Sequence, residues 1–221
     1  MSVSFKDRQF RNTAFLLLLV FLTLSMSGSS YVRSYLDFAE SLDKTAVIVD
    51  GRELTLSDLA FYIAYEEGVV EETAFIYNPE DTGEYWRIHT NGVFIRTEAK
   101  QTAMDMAVHD EIFYQLACNE GLVLTDEEEA WLANDQYDFW SDLEEEQREA
   151  LGVEKEVLDE TMRKMALAQK AQSLYAQMND TEEAEYDFNG EAYQELLENH
   201  EVELVEKVWD RVHFGSITVD H

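Results

Sequence analysis

The chain has 221 residues, with 47 Asp and Glu against 16 Lys and Arg, and a net charge of −31. A hydrophobic fraction of 46% is enough for a real core, and the length allows one ordinary domain or two small ones. So acidic a surface repels nucleic acid and anionic lipid headgroups, so nucleic acid is not an expected partner, and it favours either plain solubility or cationic partners.

Lys6, Arg8 and Arg11 precede the apolar run AFLLLLVFLTLSM at 14–26, and no charge appears from Asn12 to Val32. Twenty-one uncharged residues can cross the roughly 30 Å hydrocarbon layer as a helix. The strongly apolar part is also the size of a signal-peptide core, and small residues follow in SGSS. A retained anchor and a cleaved signal both fit residues 1–33. Tyr31 and Tyr35, suited to a membrane interface, favour the anchor. Either way the basic start stays inside and the rest is exported, on the cell membrane or secreted. Without the first 33 residues the chain is more acidic still, at net −34.

The next stretch, TAVIVDGRELTLSD, predicts a hairpin: Ala46–Val49, a two-residue Asp50-Gly51 turn of type I′, and Arg52–Leu54. Thr55 reads as the N-cap of a helix with Asp58 three residues on. Leu59, Tyr62, Ile63 and Glu66 step at helical spacing, and Gly68 predicts the end. Residues 68–96 lack a clean period and hold the only proline, Pro79; they read as a long excursion whose aromatics Phe75, Tyr77, Tyr85 and Trp86 pack on something.

A second helix is expected from Thr97 to Glu120, closed by Gly121. Thr125 and Glu128 have capping-box spacing and open a third, with Ala130, Ala133, Tyr137 and Trp140 on one face and fraying in LEEEQ. Gly152 marks a break. In the helix that follows, Leu158, Met162, Met165, Ala168, Ala171, Tyr175 and Met178 step by three and four. Residues 179–190 are an acidic linker, GEAYQELLENH a short helix, and VWDRVHFGSITV a strand.

Few residues carry chemistry. Cys118, the lone cysteine, reads as a small buried apolar residue. The five histidines show no metal-ligand spacing, and no nucleophile elbow, phosphate loop, dinucleotide fingerprint or calcium loop is present. His109 and Asp110 point about 100° apart on a helix, so a surface placement is expected rather than a dyad. No catalytic, cofactor or metal site is expected. The Met and aromatic stripe has two readings, a packed core or an adaptable apolar surface for other chains. Trp131 and Trp140 fall on different faces of their helix, which predicts one exposed. Trp131, Trp140, Met162, Met165 and Tyr175 are thus the candidate peptide-binding residues.

Three segments, in order, resemble the N-terminal chaperone region of SurA/PrsA-type extracytoplasmic foldases: VIVDGRELTLSD (47–58), ACNEGLVLTDEE (117–128) and LGVEKEVLDE (151–160). The resemblance covers about residues 45–178. It implies a mainly α fold with a small β-hairpin, a helical clamp over 34–180, and binding of unfolded or extended polypeptides. The segment ENHEVELVEKVWDRVHFGSITV resembles the family's entry into a parvulin prolyl-isomerase domain. Only eight residues follow His213, so isomerase activity is not carried over. Residues 181–221 are then either such an entry or a segment folding back on the clamp. A dedicated interaction subunit of an envelope or secretion assembly, and a divergent prolyl isomerase, stand as alternatives to a non-catalytic chaperone.

Overall fold

The computed structural model describes residues 34–90 and 92–219; the signal or anchor reading of residues 1–33 falls outside them. From Tyr35 onward the chain forms one compact unit, mainly helical with a small antiparallel sheet.

The unit opens on a hairpin of β1 (Thr45–Val49) and β2 (Arg52–Thr55). Asp50 and Gly51 have φ of 50° and 80°, the paired positive values that a type I′ turn requires and that the Asp-Gly dipeptide tolerates. β1 lies at the centre of the sheet. It pairs on its other side with β5 (Val202–Leu204), Val47 opposite Leu204 and Val49 opposite Val202. Val47 and Val49 are fully buried, so the face they share looks into the core. Residues beyond 180 therefore complete the sheet begun at residue 45, rather than standing apart from it.

Thr55 caps α1 (Leu56–Tyr77) through a reciprocal box with Asp58. The helix does not stop at Gly68 but runs nine residues further. Gly68 is tolerated because one helical glycine costs only about 1 kcal/mol. The excursion expected over 68–96 thus shrinks to a short α2 (Gly83–Trp86) and the two-residue strands β3 (His89–Thr90) and β4 (Val93–Phe94). Of its aromatics, Trp86 is buried, while Phe75 and Tyr77 are exposed.

α3 (Ile95–Asn119) ends at Gly121, whose φ of 65° suits the left-handed closure. α4 (Asp126–Asp142) carries the expected Thr125–Glu128 box. Its inward face is not the predicted one. Leu132, Phe139 and the following Leu143 pack inward, whereas Ala130, Ala133 and Tyr137 face solvent. Of the four predicted positions only Trp140 is half-buried against the core, so the spacing marks a helix without naming its deepest residues. The LEEEQ run does not fray; Glu144 caps α5 (Glu145–Leu151), which ends at the left-handed Gly152.

α6 (Lys155–Met178) packs along α3, and α1 contacts both. Leu158, Met162, Ala168 and Ala171 are buried, Met165 and Tyr175 are half-buried, and Met178 is exposed. After α7 (Glu191–Leu197) and β5 comes α8 (Glu206–Trp209). The predicted terminal strand is absent among the described residues: VWDRVHFGSITV forms the end of α8 and a series of turns. It adds no strand to the sheet, whose central strand β1 is already flanked on both sides by β2 and β5. Lys100 of α3 holds this segment by donating to the carbonyls of Trp209 and Val212 at 2.6 and 2.9 Å. Burial pushes its ammonium down to about 8.

Candidate functional site

Two features stand apart from ordinary packing, a buried polar chain and an open apolar groove. The polar chain corrects the expectation for His109, which is 6% exposed, not a surface residue. Its Nδ1 lies 2.9 Å from Asp110 Oδ1 and its Nε2 2.9 Å from the Tyr186 carbonyl, so each ring nitrogen faces an oxygen. Asp110 Oδ2 accepts from the Tyr62 hydroxyl at 3.0 Å. Burial, aided by the Asp110 charge, pushes the Tyr62 phenol well above its usual range. Neighbours on a helix diverge at Cβ, yet the two side chains can bend toward each other when burial rewards their pairing. The hollow beside this chain holds about 20 Å³, room for a water but not a substrate. Both His109 nitrogens are occupied, so the chain braces α1, α3 and the segment after α6.

The groove is built on the half of α1 that runs past Gly68. One face of this helix is fully buried through Leu59, Ile63, Glu67 and Ala74. The opposite face carries Tyr65, Val69, Glu72 and Ile76, which fall on one line at steps of four, three and four, with Phe75 beside them. The four apolar residues are 44–84% exposed. A helix apolar on all sides is normally buried all round; here one side stays open. Phe139 and Leu143 from the end of α4 form the facing wall, and Thr218 and Val219 close one end. Phe139 is anchored by Phe61, their rings 4.8 Å apart. The groove encloses about 810 Å³. Its ionisable lining is acidic: Glu71, Glu72 and Asp142.

The end wall stands because α1 holds it. The Glu67 carboxylate is fully buried and accepts from the amides of Gly215, Ser216, Ile217 and Thr218 and from the Thr218 hydroxyl. Burial pushes this carboxyl up, and the hydrogen bonds from Thr218, Gly215 and Ile217 oppose that rise. Glu71, one turn on, accepts from Trp86 Nε1 at 2.7 Å. Glu66 has no such partner among the described residues, and burial pushes its carboxyl up to about 7.

The five candidate residues named from sequence are not brought together. Met162 is 4% exposed and belongs to the core. Tyr175 packs edge-on against Phe113 and Tyr186, and Met165 lies half-buried against the core. Trp140 is covered by the Arg148 guanidinium, 4.8 Å from its ring. Trp131 alone is widely exposed, and it does not line the groove. The Met and aromatic stripe is thus mostly core, while the exposed apolar surface lies on α1. Only the run VVEETAFIY after Gly68, apolar on the side opposite the buried positions, could have signalled it. Cys118 corrects another expectation: it lies at the exposed end of α3.

The described chain is therefore a mainly helical protein with a three-stranded antiparallel sheet and an acidic-rimmed apolar groove. No family model, no curated protein and no solved structure matches it. No described helix is long and apolar enough to cross a membrane, and no described cluster of His, Cys, Asp and Glu could hold a metal ion.

Proposed function

We propose that this protein binds other polypeptides without reacting with them, as an exported chaperone of the SurA/PrsA N-terminal type. The observation that carries the reading is the open line Tyr65–Val69–Ile76 facing Phe139 and Leu143. Contiguous exposed apolar surface is costly in water and marks an interaction site when it is rimmed by polar groups. Burying one such side chain against a client gains about 1.5–3 kcal/mol at most, so several together give transient, reversible binding. The acidic surface keeps the loaded complex soluble.

The three segments that resemble the foldases lie at the hairpin leading into α1, the α3–α4 junction and the α5–α6 junction, in family order. In this reading residues 12–32 are the membrane tether and the compact unit lies on the extracytoplasmic side. The test is aggregation of a chemically unfolded protein in the presence of the purified chain. Suppression at near-stoichiometric ratio is expected. No effect across several unrelated clients would sink the reading.

A second reading, one fixed partner in an envelope assembly, is favoured by the small extent of the groove, which lies on one helix face. A pull-down returning a single stoichiometric partner would select it.

A further inference from the structure

The groove's rim says which chains it takes. Every ionisable side chain lining it is an acid, and no Lys, Arg or His is among the lining residues. Glu71 is already engaged by Trp86 Nε1. Glu72 of α1 and Asp142 of α4 form no hydrogen bond or ion pair with another described residue, and both are exposed. Glu72 stands in the apolar line itself, between Val69 and Ile76, and Asp142 at the α4 side, with no described cation to neutralise either. The line from Tyr65 to Ile76 spans about 17 Å, about three turns of a partner helix.

We propose that this groove receives a short cationic amphipathic segment of another polypeptide, its aliphatic and aromatic side chains on the floor and its Lys or Arg side chains against Glu72 and Asp142. This rests on the polypeptide-binding reading above and narrows it to a chemical class. A second copy of this chain is the wrong occupant, since it would press one acidic rim against another on molecules of net charge −31. Anionic lipid is repelled for the same reason. A cationic segment matches floor and rim together, the pattern of a helix laid into a groove.

Gly68 supplies a control that leaves the fold alone. It sits on the groove floor between Tyr65 and Val69, and a Cβ placed there meets nothing within 4 Å. Gly68→Leu therefore fills the floor from a helical position that tolerates it.

The test uses the full-length chain in nanodiscs of zwitterionic lipid, with empty nanodiscs as reference. Two fluorescent peptides of about three helical turns share one leucine face; one is flanked by lysines, the other by glutamates. The lysine peptide is expected to bind about ten-fold tighter, a preference that shrinks when salt rises from about 0.05 to about 0.5 M. Gly68→Leu is expected to weaken it several-fold at a melting temperature no lower than the parent's. Glu72→Lys combined with Asp142→Lys is expected to abolish or reverse the preference. Equal binding of both peptides, a preference that survives the charge reversal, binding indifferent to Gly68→Leu, or equal uptake by empty nanodiscs each overturns the proposal. If neither peptide binds while unfolded clients are still kept from aggregating, the cationic assignment fails and the broader reading stands. If both assays are blank, both fail.

Discussion

Glu67 and Thr218 are 151 positions apart in the chain, yet the Glu67 carboxylate takes both the amide and the hydroxyl of Thr218, at 2.6 and 2.7 Å. With the amides of Gly215, Ser216 and Ile217 on its other oxygen, this side chain gathers the C-terminal turn onto the buried face of α1. The groove lies on the opposite face of the same helix, and Thr218 and Val219 are its end wall. Packing of the tail and shape of the groove are thus one problem solved by one carboxylate.

Removing that carboxylate strands the buried amides of Gly215 and Thr218 and leaves those of Ser216 and Ile217 to solvent. Glu67→Ala is expected to cost about 3–5 kcal/mol in urea unfolding. Glu67→Gln keeps one acceptor oxygen, brings an NH2 group among donors, and is expected to fall between the two. Hydrogen exchange should quicken first at Gly215–Thr218; unchanged exchange there would contradict the clasp.

Glu66 predicts a pH dependence of definite sign. Its carboxyl rises from an ordinary value near 4.5 to about 7 because burial disfavours the charge. Below 4.5 it is neutral in both folded and unfolded chains. Between 4.5 and 7 the unfolded chain releases its proton and the folded one keeps it, so stability falls as pH rises, and above 7 the loss is complete. Glu66→Gln removes the penalty. The variant should match the parent at pH near 4 and exceed it by about 1–2 kcal/mol at pH near 8, allowing for solvent screening at a half-buried site. Parallel stability profiles for the two proteins would refute this.

Two glycines should respond in opposite directions. Gly68→Ala adds a methyl into open space on a helix and is expected to stabilise by about 0.5–1 kcal/mol. Gly215 has φ of +77°, and a Cβ there would stand 2.7 Å from Trp86 Cε3. Gly215→Ala is therefore expected to destabilise by about 1–3 kcal/mol. Thermal melts of the two variants decide it; a shift of the same sign in both would be inconsistent with the packing described.

His109 is a brace with two oxygen partners, so His109→Leu leaves the Tyr186 carbonyl and one Asp110 oxygen buried without it. A loss of about 2–4 kcal/mol is expected. A double-mutant cycle with Asp110→Asn should return a coupling of about 1 kcal/mol or more. Additive effects would mean that the two side chains do not act as a pair.

Local chemistry was legible in the sequence wherever neighbours decide the outcome. The Asp50-Gly51 turn needs only two residues that accept positive φ, the boxes at Thr55 and Thr125 need a partner three residues on, and the breaks at Gly121 and Gly152 need only a missing Cβ. Each is written within four positions, so the order of hairpin and helices could be read directly. The stripe of α6 was legible as apolar for the same reason, but its exposure was not.

What the tertiary structure alone decided is which apolar faces close and which stay open. Val49 takes its second partner, Val202, 153 residues later, and that pairing leaves no edge of β1 for the tail to join. His109 is buried because Tyr186 and Tyr193 come over it, which spacing within α3 does not record. Gly68 looked like a stop because helix propensity there is weak; packing of Val70 and Ala74 against the core carries the helix through it. Periodicity names the faces of a helix, whereas burial depends on the area that distant segments remove from water. That area is a property of the assembled chain, and it placed the groove on α1 rather than on α6.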